Sequence, residues 1–163
     1  MFTVGIITSS DKGYSGDRED KSGQVIKSIV EEAGFEVKRK VILPDEKDLL
    51  KKEMVFMCDE LNLNLILTTG GTGFSKRDIT PESTKEVIER ETPGISEAIR
   101  YYSLEITKRA MLSRATSGIR GDSLIVNLPG SPKACKESLD FILDELKHGL
   151  GILLELEREC ARK

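Results

Sequence analysis

Short apolar runs that end in polar or glycine-rich segments alternate along this chain with stretches whose apolar residues recur at helical spacing, and that alternation restricts the fold more than any other feature. Val4, Ile6 and Ile7 make the first run, which stops at the polar segment TSSDKGYSGDREDKSG. From Ser22 onward Val25, Ile26, Ile29, Val30 and Ala33 predict a helix that Gly34 terminates. A second strand, FEVKRKVIL, is broken by Pro44, after which Leu49, Leu50, Met54, Met57 and Leu61 mark another helix face. The third run, LNLILTT, is the most apolar and leads straight into Gly70-Gly71-Thr72-Gly73. Thr80-Pro81 and Thr92-Pro93 each read as an N-cap followed by the first helical residue. A short strand, a glycine turn and a core strand from Leu124 to Leu128 come next. Ser131-Pro132 then opens a last helix with Cys135, Leu139, Ile142 and Leu146 on one stripe. Leu150 and Leu153 continue that stripe past Gly149 and Gly151, where a bend or split is expected. Repeated strand-helix units predict an α/β fold, a mostly parallel sheet with helices on both faces, in a single domain spanning residues 1–163.

Composition removes several functions. Lys and Arg number 25 against 28 Asp and Glu, which leaves no global basic excess for wrapping nucleic acid, and 5% aromatics with no Trp offer no stacking platform. The KRK at 38–40 reads as a solvated strand end. His148 is the only imidazole, so a multi-histidine metal site within one subunit is impossible and a Ser-His-Asp mechanism would have to use it. Its ELKHGL setting reads as a solvated position late in a helix. Cys58, Cys135 and Cys160 are odd in number and lack a CxxC, which fits free thiols in a reducing cytoplasm. The start, MFTVGIITSSDKG, has neither a basic n-region nor an apolar run long enough to span a membrane, so a soluble cytoplasmic protein is expected.

In an open α/β sheet, ligands bind beyond the carboxyl ends of the strands. The candidates are therefore Ser9, Ser10 and Asp11; Asp45; Thr69 to Asp78; and Asn127 to Lys133. Within TTGGTGFSKRD the glycines 70, 71 and 73 leave backbone N–H groups open to an anion, although the same glycines would serve a tight turn with no ligand. The segment is not a Walker A loop, because Ser75 stands where the second glycine belongs, nor a Rossmann fingerprint, because Lys76 stands where the third belongs. Lys76 and Arg77 suit a phosphate, and Asp78 beside them suits a bridging divalent cation, so a magnesium-nucleotide site accounts for all three. Asp45 is the natural second carboxylate, although LPDE alone reads equally as a turn and helix start. In LPGSPK, Gly130 permits close approach, Ser131 caps, Pro132 starts the helix and Lys133 adds charge to its positive end. A helix terminus contributes about 0.3–1 kcal/mol, whereas micromolar binding takes about 8 kcal/mol. Several loops must therefore act together on a ligand with more than one polar group.

These residues carry a resemblance. TTGGTGFSKRDITPEST, ERETPG, LSRATSGIRG and LIVNLPGSPKACKESL, together with ITSSDKGYSGDREDKSG and ILPDE, are similar in order and over nearly the whole chain to the molybdopterin adenylyltransferase family of the MogA and MoaB type, to which a domain of gephyrin is related. The resemblance implies a three-layer α/β/α fold, a homo-oligomer, a homotrimer rather than a hexamer, and magnesium-dependent transfer of AMP from ATP to the terminal phosphate of molybdopterin with release of pyrophosphate. The product would pass to a molybdenum-insertion protein.

It also implies roles for particular residues. The family's two catalytic aspartates, which the residue pattern suggests as magnesium ligands, fall on Asp45 and Asp78. Ser9, Asp11, Thr69, Gly70, Gly71, Thr72, Gly73 and Lys76 fall on substrate-binding segments, as do Ser113, Arg114, Pro129, Gly130, Ser131 and Lys133. Such a transfer needs no protein nucleophile, so the shortage of histidine is no handicap. The rival expectation is a non-catalytic MoaB-type protein that binds molybdopterin or acts as a scaffold. A pyrophosphatase or deamidase of the competence-damage type, which shares the glycine loop, ranks behind it.

Overall fold

In the computed structural model, which describes residues 1–156, the strands are β1 (Thr3–Ser9), β2 (Glu36–Leu43), β3 (Leu65–Thr69), β4 (Arg90–Glu91), β5 (Ser117–Arg120) and β6 (Ser123–Leu128). They form one sheet in the order β2-β1-β3-β6-β5-β4. The first four of that order are mutually parallel, with Val4 beside Leu65 and Leu65 beside Leu124, whereas β5 and β4 close the far edge antiparallel. The helices are α1 (Asp11–Ser15), α2 (Lys21–Glu32), α3 (Lys47–Val55), α4 (Thr80–Val87), α5 (Pro93–Leu104) and α6 (Pro132–Leu153). A π-helical turn, Phe56–Glu60, extends α3, and a 3-10 turn, Lys108–Leu112, follows α5.

The parallel strands carry helices on both faces, which is why their sequences are apolar without alternation. On one face Val4, Ile6, Leu65, Leu67 and Val126 pack with Ile26 and Val30 of α2, Ile99 of α5 and the apolar stripe of α6. On the other, Ile7, Ile66 and Ile125 meet Leu50 and Met54 of α3, Met57 and Val87. The three-layer α/β/α arrangement is the expected one. Burying a Leu or Ile such as Leu67 or Ile66 contributes about 1.5–3 kcal/mol each, so these strands hold their register firmly.

Five local features differ from the sequence reading. The two-residue strand β4 has no counterpart in the sequence reading, and the short helix α1 sits in the polar segment after β1 that reads as loop. Helix α6 runs unbroken through Gly149 and Gly151, because Leu146 and Leu150 beside them are buried and that burial outweighs about 1 kcal/mol of poor helix propensity per glycine. Thr80 does not cap α4: Ile79 holds the cap position, and the Thr80 hydroxyl is turned to the Gly70 carbonyl at 2.9 Å. The basic run at 38–40 is only partly solvated, with Arg39 paired to Glu53 and Lys40 to Asp20 at 2.8 Å. Cys160 lies outside the described residues; Cys58 and Cys135 are buried free thiols.

Candidate active site

From β1 the chain crosses to β2 on one side, and from β3 it crosses towards β6 on the other, so the strand order switches direction between β1 and β3. Such a switch point opens a crevice at the strands' carboxyl ends. Here it is a cleft of about 770 Å³, walled by residues that follow β1, β2, β3 and β6.

The glycine loop forms its floor. Gly70 and Gly71 have φ of +87° and +69°, and a Cβ at these positions would lie 2.3 Å from the Ser9 carbonyl oxygen and 2.3 Å from the Thr80 hydroxyl. No other residue type fits there. All four carbonyls of the Gly70–Gly73 loop are held by donors. Thr80 donates from Oγ1 to Gly70 (2.9 Å) and from its amide to Gly71 (3.0 Å). Arg114 donates from its amide to Thr72 (2.9 Å) and from Nε to Gly73 (2.7 Å). With its oxygens drawn to protein donors, the loop could meet an anion only through N–H groups. Thr80 is itself anchored through its carbonyl, which accepts from Thr84 Oγ1, and Thr84 in turn accepts from the buried Asn127 amide, each at 2.9 Å.

Asp45, just past β2, is held rigidly. Ser9 Oγ donates to its Oδ1 at 2.6 Å, the Asp11 amide donates to its Oδ2 at 3.0 Å, and the Asp45 amide donates back to Asp11 Oδ1 at 3.0 Å. Asp11 is clamped in turn by Arg77, with Nε to Oδ2 at 3.0 Å and Nη2 to Oδ1 at 2.9 Å, and the same guanidinium reaches Glu46 at 2.9 Å. Hydrogen bonds from Arg77, then from the Asp45 amide, hold the Asp11 carboxyl below its usual range. Asp78 closes a turn by accepting from the Ser75 amide at 2.9 Å and also faces the cleft.

The opposite wall comes from the start of α6. Ser131 caps that helix by accepting from the Ala134 amide at 3.1 Å, as its sequence position predicted. The Pro129 carbonyl accepts from Thr69 Oγ1 at 2.6 Å and from Cys135, whose thiol burial pushes up to about 11, so that it remains a donor at neutral pH.

Of the residues expected from the sequence, Ser9, Asp45, Thr69, Gly70, Gly71, Asp78, Gly130 and Ser131 line this one cleft. Asp11 stands behind Asp45, and Thr72, Gly73 and Pro129 act through their carbonyls. Lys76 is exposed on the loop, and Lys133 is 86% exposed, 3.9 Å from Glu137. Ser113 and Arg114 line a second, smaller cleft of about 270 Å³ beside Lys85 and Arg100. His148 is exposed on α6 and lines neither cleft.

Sequence reasoning missed the segment between α1 and α2. Arg18 and Lys21 bring cations to the main cleft, and Ser22 Oγ donates to the Gly130 carbonyl at 2.7 Å. Asp20 caps α2 through Gly23 at 2.9 Å, accepts from Thr8 at 2.9 Å and pairs with Lys40. An Asp a few residues ahead of the apolar periodicity at Val25 is a helix-start signal, and it could have identified this stretch. Among the described residues, no group of three or more His, Cys, Asp or Glu gathers to hold a metal by itself.

Comparison with known proteins shows the family. Residues 5–148 match the family model described as a probable molybdopterin binding domain. The molybdopterin adenylyltransferase of Helicobacter pylori strain J99 is 40% identical over 156 residues, covering 93% of this chain and 87% of that protein. The crystal structure of the molybdopterin biosynthesis enzyme MoaB from Thermus thermophilus superposes with a TM-score of 0.89 at 46% identity, over 95% of this chain and 98% of that one. The tungsten cofactor synthesizing protein MoaB from Pyrococcus furiosus superposes with a TM-score of 0.84 at 37% identity, over 98% of each chain. With the glycine loop, both aspartates and the Pro129–Lys133 segment all inside the matched span, the chain belongs to the molybdopterin-binding-domain family that includes the molybdopterin adenylyltransferases.

Proposed function

We propose that this protein transfers AMP from ATP to molybdopterin, giving adenylylated molybdopterin and pyrophosphate, as a step of molybdenum cofactor biosynthesis. The observation that carries the reading is the meeting of Asp45, Asp78 and the clamped glycine loop in one cleft at the switch point of the sheet. In this reaction an oxygen of the pterin's terminal phosphate attacks the α-phosphorus of ATP and the bond to the β-phosphate oxygen breaks. That substitution asks for alignment and for neutralisation of charge on the triphosphate, not for a protein nucleophile.

The residues fit a magnesium ion. Mg²⁺ is commonly held by one or two carboxylates, with phosphate and water oxygens completing its octahedron, and it needs no dedicated protein cage. Asp45 and Asp78 each keep carboxylate lone pairs beyond the bonds described and would hold it. When bound, the ion supplies charge neutralisation for the triphosphate and the departing pyrophosphate. Arg18 and Lys21 at the cleft wall, together with the exposed Lys76 and Lys133, offset the remaining phosphate charge. Thr69, Gly70, Gly71, Gly130 and Ser131 contact the nucleotide or pterin phosphates, and Ser113 extends the substrate surface into the second cleft.

The whole chain, 1–163, acts as one domain in this reading, and it works in the cytoplasm as a homotrimer that passes its product to a molybdenum-insertion protein. No helix among the described residues is long and apolar enough to cross a membrane. Self-association is supported by a run of exposed apolar side chains on α5 and the 3-10 turn after it, including Tyr101, Ile106 and Met111.

Incubation of the purified protein with molybdopterin, ATP and magnesium, followed by mass spectrometry, tests the reading. Adenylylated pterin and pyrophosphate should accumulate, and Asp45→Asn or Asp78→Asn should slow transfer by about a hundredfold or more while molybdopterin still binds. Pterin binding without pyrophosphate release would replace the enzyme with a molybdopterin-binding scaffold of the MoaB type.

A further inference from the structure

We propose that Arg77 is a positioning residue for the transfer: its guanidinium clamps together the loops after β1, β2 and β3 and, through Asp11, fixes the Asp45 carboxylate towards the cleft. The proposal rests on the reading of Asp45 given above. Arg77 comes from the loop after β3, Asp11 follows β1 and Glu46 follows β2, so one side chain bridges three strand ends.

In the sequence, Arg77 beside Lys76 suits a phosphate. In the structure it does not line the cleft, and its fork is spent on protein carboxylates instead. Two of its nitrogens meet both oxygens of Asp11, which orients that carboxylate in plane as well as holding it. Asp11 and Asp45 then exchange bonds, each amide donating to the other's carboxylate at 3.0 Å. Asp45 is left with little freedom to rotate.

Charge gives the clamp its purpose. Asp11, Asp45 and Glu46 crowd the adjacent ends of β1 and β2, and among the described residues Arg77 is the only cation paired with any of them. Without it, mutual repulsion would splay the loops. Stability alone does not account for the arrangement, because Arg77 is 52% exposed and Asp11 and Glu46 are 44% and 53% exposed, and such surface pairs contribute little. Placement matters far more to rate, since an error of about 1 Å in a reacting group costs about a hundredfold.

The test compares Arg77→Gln and Arg77→Lys in the full chain, with amide hydrogen exchange by NMR beside steady-state kinetics. Arg77→Gln should leave the unfolding midpoint within about 4 °C of the parent and speed exchange at the Asp11 and Asp45 amides about tenfold or more. It should lower kcat by about tenfold to a hundredfold with little change in the KM for ATP. Arg77→Lys, which keeps the charge but not the fork, should recover both readouts only in part.

Unchanged exchange at Asp11 and Asp45 overturns the clamp, as does an unchanged kcat. A rise in the KM for ATP at constant kcat makes Arg77 a phosphate ligand instead, and complete rescue by Lys reduces its role to charge. Should the parent chain itself transfer no AMP, the activity reading fails separately, and amide exchange alone then decides the clamp.

Discussion

Gly71 shows how tightly single residues are constrained at this site. Its φ of +69° excludes easy replacement, and a Cβ there would press to 2.3 Å on the Thr80 hydroxyl, which is fully buried and already committed to the Gly70 carbonyl. A methyl group must therefore either push Thr80 off its bond or swing the loop out of the cleft. Gly71→Ala should destabilise the protein by about 1–3 kcal/mol and weaken nucleotide binding as well. Gly130→Ala is the matched comparison, since its nearest neighbour, the Gly70 Cα, lies at an ordinary 3.6 Å and its φ is not in the left-handed region. It should cost less than about 1 kcal/mol. Urea unfolding of the two variants measures the difference, and equal midpoints would show that the loop has slack that the geometry denies. The glycines themselves were legible in the sequence because their spacing after an apolar strand is unusual. Their partner was not, because Thr80-Pro81 imitates a helix cap and only the folded chain shows that its hydroxyl is turned to the loop instead.

Elements were legible in proportion to their burial. The runs that became β1, β3 and β6 are buried on both faces and so read as uninterrupted apolar stretches, whereas β4 is exposed and two residues long and left no pattern at all. The missed side of the cleft has the same origin: the residues from Arg18 to Ser22 are set by a cap and an ion pair, not by apolar periodicity. Asp20 joins three elements there, capping α2, accepting from Thr8 at the end of β1 and pairing with Lys40 of β2. Burial alone would raise its pKa, but Lys40, Gly23 and Thr8 together bring it below the ordinary value of 3.8. A depressed carboxylate contributes stability that is fully present above the unfolded pKa and is lost as pH falls through the folded one. Asp20→Ala removes the cap and leaves Lys40 unpaired, at a cost of about 1–3 kcal/mol at neutral pH. Asp20→Asn keeps a cap but not the charge, so its deficit relative to the parent should shrink below pH 3.8. Denaturant unfolding at several pH values checks this; a deficit that stays constant into acid would mean that the Lys40 pair contributes nothing.

At the scale of the whole molecule, the surface rather than the core invites comment. Tyr101, Leu104, Ile106, Met111 and Leu112 are 40–69% exposed within a stretch that runs from α5 into the 3-10 turn, and Phe141 of α6 stacks on Tyr102 at 4.4 Å beside them. Exposed apolar side chains gathered in one stretch of chain are what the proposed self-association would cover. None of these residues lines either cleft, so association and catalysis can be separated by mutation. Symmetry then gives a sharper test than size alone. In a cyclic trimer each contact is head-to-tail, so this surface meets a different patch on the next copy, whereas in a two-fold dimer it meets itself. On the proposed homotrimer with this surface in its contact, Met111→Glu places a charge there and should yield monomers by light scattering at concentrations where the parent associates. The variant still carries the complementary patch, however, and parent subunits can dock on it once. Mixing parent with excess Met111→Glu should therefore produce open pairs that do not close, with mass twice that of the chain. A two-fold contact would instead be weakened in every mixed pair, and a mixture showing only parent oligomers and variant monomers would rule out the head-to-tail arrangement.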